Sequence, residues 1–139
     1  MKAILIVTII WGALMNANAA KQEIEFSEIF IQSIEAGKKK ATMRMGHFDG
    51  KDQDEHYKPG PAMIRFTNGK KLWMNITKVV YTTFDWKEGA VTPEVLAAET
   101  VIPSDEAGFH RLYKGMKRWY PNFKYGDKIT IVYFKLVKD

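Results

Sequence analysis

Apolar and polar residues change their spacing several times along this chain, and each change marks an element. Residues 3–15 are almost continuously apolar, from Ala3-Ile4-Leu5 to Ala13-Leu14-Met15, behind a single positive charge at Lys2. Small residues follow at Ala17-Asn18-Ala19-Ala20. A positive start, an apolar centre and a small-residue exit form the three-part pattern of a secretory signal. The run is shorter than the roughly 20 residues that span a bilayer. The reading is a signal peptide over 1–19 and one domain over 20–139, exported to the periplasm or beyond, with no membrane attachment once the signal is removed.

Alternation begins at Glu23-Ile24-Glu25-Phe26, which reads as a half-buried strand. Ser27 ahead of Glu28 is a helix N-cap; Phe30, Ile31 and Ile34 then recur at helical spacing, and Gly37 suits the residue just past the helix end. Ala41 to Arg44 is a short strand. Residues 45–60 make a polar loop of a length that often carries function. Its acids Asp49, Asp52, Asp54 and Glu55 lack the ligand spacing of an EF-hand. Ala62 to Thr67 and Leu72 to Phe84 are the arms of a hairpin around Asn68-Gly69, a strong turn signal. An arm as long as the second is expected to bend or bulge so that a barrel closes.

Thr92-Pro93-Glu94 starts a helix with proline at its first position; its stripe of Val95, Leu96 and Ala98 ends at Glu99. Pro103-Ser104-Asp105-Glu106 opens another, capped by Ser104 and running to about Trp119. Its core face is Phe109, Leu112, Tyr113, Met116 and Tyr120, and His110, Arg111, Lys114, Lys117 and Arg118 form a solvated face. After a turn at Tyr125–Lys128, Ile129 to Val137 is the last strand, with Ile129, Ile131 and Tyr133 on one side. This order predicts an α+β fold, a small β-barrel flanked by helices.

Composition narrows the chemistry. The 139 residues suit one domain with a real core, and 46% hydrophobic with 27% charged residues is ordinary for a globular protein. A net charge of +5 favours an anionic partner. There is no cysteine, which excludes disulfides, thiolate metal sites and cysteine nucleophiles. His47, His56 and His110 are scattered, so neither a metal nor a cofactor is expected.

What remains is Gly37-Lys38-Lys39-Lys40-Ala41-Thr42-Met43-Arg44. Lysines directly after a helix are explained in part by its negative end. Cations, a hydroxyl and a guanidinium within eight residues also suit holding an anion and attacking an electrophile.

Phe26-x-x-x-Phe30-x-x-x-Ile34-x-x-Gly37-Lys38-Lys39 running into Thr42-x-Arg44 resembles the opening of the ASCH domain family, which shares the PUA-like β-barrel. Ile129-Thr130-Ile131-Val132-Tyr133-Phe134-Lys135-Leu136-Val137 is similar to that family's last strand, and Glu99 to its acidic position. The resemblance implies a cleft facing RNA or a nucleoside. In small bacterial members it implies an amidohydrolase that removes the acetyl group of acetylcytidine. The catalytic set would then be Lys39 as base, Thr42 as nucleophile and Glu99, with Lys38, Lys40 and Arg44 binding substrate. Other members bind or cleave nucleic acid, so the alternatives are a non-catalytic RNA-binding module, with Trp73, Trp86, Trp119, Tyr81 and Tyr120 as stacking surfaces, or a ribonuclease.

The chain departs from the family pattern at Lys40, where threonine is common, and at Thr100, where glycine or asparagine usually follows the acid. Its 45–60 loop is also longer than in the smallest members. An export signal is unusual too, since the family's location is the cytoplasm. Finally, Lys39 and Thr42 are three apart and would face opposite ways in a regular strand. They converge only if Lys39 lies in the turn or the strand is bulged.

Overall fold

In the computed structural model, residues 22–46 and 57–137 are described. The signal reading over 1–19, His47, His56 and the acids of the 45–60 loop lie outside the described residues.

The described residues form five strands: β1 (Glu23–Phe26), β2 (Ala41–Met45), β3 (Gly60–Phe66), β4 (Lys71–Thr83) and β5 (Lys128–Leu136). A single 3-10 turn, Glu28–Phe30, leads into α1 (Ile31–Glu35), and two more helices follow, α2 (Pro93–Ala98) and α3 (Glu106–Trp119). The strands form one sheet in the order β1-β3-β4-β5-β2. β1 runs parallel to β3, and every other pairing is antiparallel. The fold is α+β, and the sheet is curled into a half-barrel. β1 and β2 are its two edges and do not pair with each other, so the ring of strands stays open on that side.

β4 carries the bulge expected from its length, although the barrel that the bulge was expected to close stays open. Its first half pairs with β3, from Lys71 to Ile76, and it pairs with β5 from Met74 to Thr83, with a register shift between Ile76 and Lys78. That bulge changes parity, because one extra residue moves every later side chain to the other face. Met74 and Ile76 pack with Ile24, Phe26, Ile64, Phe66 and Phe134 in one core. Beyond the bulge, Val80 and Phe84 join the other core, with Ala41, Met43, Phe109, Met116, Ile129 and Ile131. β5 feeds both, sending Ile129 and Ile131 one way and Val132 and Phe134 the other.

Two local expectations need correction. The hairpin closes around three residues, Thr67-Asn68-Gly69, and not around Asn68-Gly69 alone. The Phe66 N–H donates to Lys70 O at 2.8 Å and the Gly69 N–H to Phe66 O at 2.8 Å, with Gly69 at φ +91°. This is a turn followed by a glycine bulge, the next most common way to join two strands. The cap of α3 is Asp105, not Ser104: its carboxylate accepts from the Gly108 N–H at 3.1 Å. Ser104 Oγ instead donates back to Val101 O at 3.0 Å and is committed to the preceding loop. The core face of α3 is as read from its spacing, since Phe109, Leu112, Tyr113, Met116 and Tyr120 all pack in the second core. Among the described residues no helix is long and apolar enough to cross a membrane.

Candidate active site

The turn after α1 places the first site residue. The N–H groups of Lys38 and Lys39 both donate to Ser33 O, at 2.9 and 3.0 Å, so Lys39 still belongs to the helix end and not to β2. Lys40 is then held by its backbone on two sides. Its N–H donates to Ala98 O at the end of α2 at 2.8 Å, and its carbonyl accepts from the Phe134 N–H of β5 at 2.9 Å. These two bonds bring residues some sixty positions apart into contact. Lys39 Nζ lies 2.7 Å from Glu99 Oε2 and 3.3 Å from the Glu99 carbonyl oxygen.

Lys39 and Glu99 form a buried ion pair, their side chains 3% and 7% exposed. The ammonium also stands 4.9 Å from the centre of the Phe30 ring. Taking both ions out of water is costly, and their close approach and added contacts are what make it tolerable. The second carboxylate oxygen, Glu99 Oε1, is buried with no hydrogen-bond partner among the described residues. An ionised oxygen in that position is an acceptor waiting for a donor.

Thr42 lies in β2 between Ala41 and Met43, which enter the second core, so its own side chain turns to the opposite face with Arg44. It is buried, and its Oγ1 accepts a hydrogen bond from Arg44 NH1. Arg44 NH1 also donates to Met43 O at 3.1 Å, and NH2 reaches the Glu25 carbonyl of β1 at 2.8 Å. The guanidinium lies 5.1 Å over the Phe26 ring. Because Lys39 is in the turn, the parity objection disappears: Lys39, Thr42, Arg44 and Glu99 line one cleft of about 360 Å³. Lys38 and Lys40 do not line it. Both are exposed, and Lys40 lines a separate concavity with Glu35, Phe134 and Lys135.

Thr100 explains one departure noted in the sequence. The Val101 N–H donates to Leu96 O and the Thr100 N–H to Ala97 O, which closes α2 with a Schellman motif. That motif requires a left-handed residue, and Thr100 has φ +64°. Glycine or asparagine suits the position, and a β-branched side chain there is strained. The strain sits immediately beside Glu99. Tyr133 of β5 is close enough to feel that carboxylate. Burial raises its phenol pKa above 10.0, and the charges of Glu99 and Glu94 add to the rise, so the hydroxyl stays protonated at neutral pH.

Of the other walls, sequence reasoning reached only Trp119 and Tyr120, as stacking surfaces for RNA, and missed the rest. Phe26 and Phe30, an edge-to-face pair 6.2 Å apart, underlie the two cations, and Leu112, Gly115, Met116 and Trp119 of α3 line the cleft as well. The helix periodicity of α3 marks Leu112 and Met116 as buried, but nothing in it says that their outer ends face a cleft.

No family model matches the chain, and no curated protein matches it. Solved structures do. The crystal structure of an ASCH domain from Lactobacillus crispatus JV V101 superposes with a TM-score of 0.61, at 16% identity, over 78% of this chain and 70% of that one. The chain has the ASCH-domain fold. Protein EF3133 from Enterococcus faecalis V583 matches with a TM-score of 0.57 at 18% identity, over 76% of this chain and 65% of that one. The hypothetical protein PH0355 matches with a TM-score of 0.53 at 24% identity, over 84% of this chain and 98% of that one. On that ASCH fold, the cleft opens beside the gap between the sheet edges, where Arg44 of β2 meets Glu25 of β1.

Proposed function

We propose that this ASCH-fold protein is a small amidohydrolase that removes an acyl group from the exocyclic nitrogen of a nucleoside, acetylcytidine being the substrate to test. The single observation that supports the reading is the meeting of Lys39, Thr42, Arg44 and Glu99 on one cleft. A hydroxyl, an amine, a carboxylate and a guanidinium are the parts that amide hydrolysis needs.

In this reading Glu99 takes a proton from Lys39, and the resulting amine removes the Thr42 proton. Arg44 already donates to Thr42 Oγ1, which leaves the hydroxyl hydrogen free to be given up. Thr42 Oγ1 bonds to the acetyl carbon while the carbonyl electrons move onto oxygen, beside the Arg44 guanidinium. The intermediate collapses, the C–N bond breaks, and the leaving nitrogen takes the proton from Lys39 as the nucleoside amine departs. Water, deprotonated by the same amine, then attacks the threonine ester. The bond from the acetyl carbon to Thr42 Oγ1 breaks, and Oγ1 takes that proton back from Lys39. Acetic acid leaves as acetate and a proton, and Glu99 returns its proton to Lys39. The unpartnered Glu99 Oε1 suits the N–H of the substrate amide, and this contact would orient the scissile bond. Each variant is assayed by acetate release from acetylcytidine. Thr42→Ala should lower kcat by at least about a hundredfold, the scale on which an essential catalytic group acts, while leaving nucleoside binding in place. Absence of turnover by the wild-type protein would sink the reading.

RNA binding without catalysis remains the second reading, since the exposed face of α3 carries Arg111, Lys114 and Arg118. Affinity for single-stranded RNA that falls steeply with salt, with no acetate release, would favour it.

A further inference from the structure

Helix α3 contains two glycines, and only one of them is explained by packing. A side chain at Gly108 would place its Cβ 1.7 Å from the Pro103 carbonyl oxygen, so glycine is compulsory there. A Cβ at Gly115 would meet nothing within 4 Å. Gly115 is well inside Glu106–Trp119 and has no positive φ, so neither a turn nor a close approach requires it. Glycine in a helix interior is nonetheless destabilising relative to alanine. The open space above it is the cleft: Gly115 lines it, as do Leu112 and Met116 on one side and Trp119 one turn later.

Exposure grades this cleft from inside to outside. Lys39, Thr42 and Glu99 are all more than nine-tenths buried, whereas Trp119 is 63% exposed at the rim. A large ring left that open, on a helix whose other aromatics are packed, is an apolar surface given mostly to solvent. Between the buried polar end and the exposed indole lies the gap left by Gly115.

We propose that Gly115 and Trp119 form a slot for a flat unsaturated ring, that of a pyrimidine base. Gly115 stays small to admit the ring, and Trp119 stacks on its face. The inference rests on the nucleoside reading of the cleft and makes these two residues its specificity determinants. The open space above Gly115 leaves room for the thickness of a planar ring, and base stacking on an aromatic side chain is favourable for any base. Such a ring, entering past Trp119, would carry its exocyclic substituent inward toward Thr42 and Glu99.

The test uses the full domain, with cytidine as the binding probe and acetylcytidine as the substrate. Affinity is read by calorimetry, contact with the indole by tryptophan quenching, and stability by thermal unfolding. Gly115→Ala should raise Tm by about 3 °C and weaken cytidine binding about tenfold or more. Trp119→Ala should weaken binding by a similar factor, and Trp119→Phe should keep most of the affinity while abolishing the quenching. If Gly115→Ala is more stable and still binds cytidine within about twofold of wild type, on the same stacking scale, the slot is wrong. Failure of the wild-type protein to bind cytidine also overturns it. Cytidine binding that responds to both residues, without acetate release from acetylcytidine, upholds the slot and removes the amidohydrolase. Acetate release with an unchanged KM in Gly115→Ala does the reverse.

Discussion

At the scale of single residues, the cost of this site is concentrated in Lys39 and Glu99. A buried pair 2.7 Å apart is held together as a unit, and removing either member leaves the other as an unpaired buried charge. Lys39→Met and Glu99→Leu should each lower stability by about 3 kcal/mol or more. The double variant should recover most of that loss, since two apolar side chains of similar volume carry no desolvation cost. Urea denaturation of the four proteins measures the coupling, and additive losses would mean that the pair is not a unit. Thr100 holds a second, smaller reserve. Its φ of +64° is imposed by the end of α2, so Thr100→Gly should stabilise the protein by about 0.5–1 kcal/mol. An unchanged or lower Tm would show that the Thr100 hydroxyl, which donates to the Glu99 carbonyl, outweighs the strain.

Elements were the level at which the sequence was most legible, and its failures have local causes. Alternation at Glu23–Phe26 and helical spacing at Phe109–Tyr120 reflect faces that are half in water, so composition along the chain records them directly. The α3 cap was misassigned because Ser104 and Asp105 are both good caps, and only the backbone decides which one precedes the first helical turn. Asp105→Ala should therefore cost about 1 kcal/mol, and Ser104→Ala clearly less. Thermal unfolding of the two variants compares them directly, and a larger loss for Ser104→Ala would return the cap to Ser104. The bend in β4 was expected from its length, but the position of the bulge depends on which residues must reach each core, and that is set by β3 and β5 together.

Viewed whole, the described residues form a curled sheet whose open side is bridged by the Arg44 side chain. Arg44 stands on β2, one edge of the sheet, and donates to the Glu25 carbonyl on β1, the other edge. The same guanidinium holds Thr42, so the bridge between the edges and the hydroxyl of the cleft depend on one group. Arg44→Met should lower stability by about 2 kcal/mol, the scale of hydrogen bonds to a charged donor. Amide exchange in β1 and β2 should quicken more than in β4, and Arg44→Lys should restore little because an ammonium cannot make the forked contact. Equal protection of the edge strands in the variant would show that packing of Phe26 alone holds them.

The cleft itself divides between sequence and fold. Lys39, Thr42 and Arg44 were visible as a string of residue types after a helix end, because they are neighbours in the chain. Glu99 was visible only as an acid at the end of a short helix. Trp119 was visible only as one of five aromatic residues suited to stacking, and Gly115 carried no signal, since a glycine in a helix has many ordinary explanations. Local patterning was enough for the elements, most of their faces and the basic turn, all of which follow from contacts within a few residues, but not for the cap of α3. That Lys39 stays in the turn and meets Glu99 is a property of the assembled fold, because it depends on the hydrogen bonds of Lys40 to Ala98 and Phe134, two segments that local patterning cannot bring together.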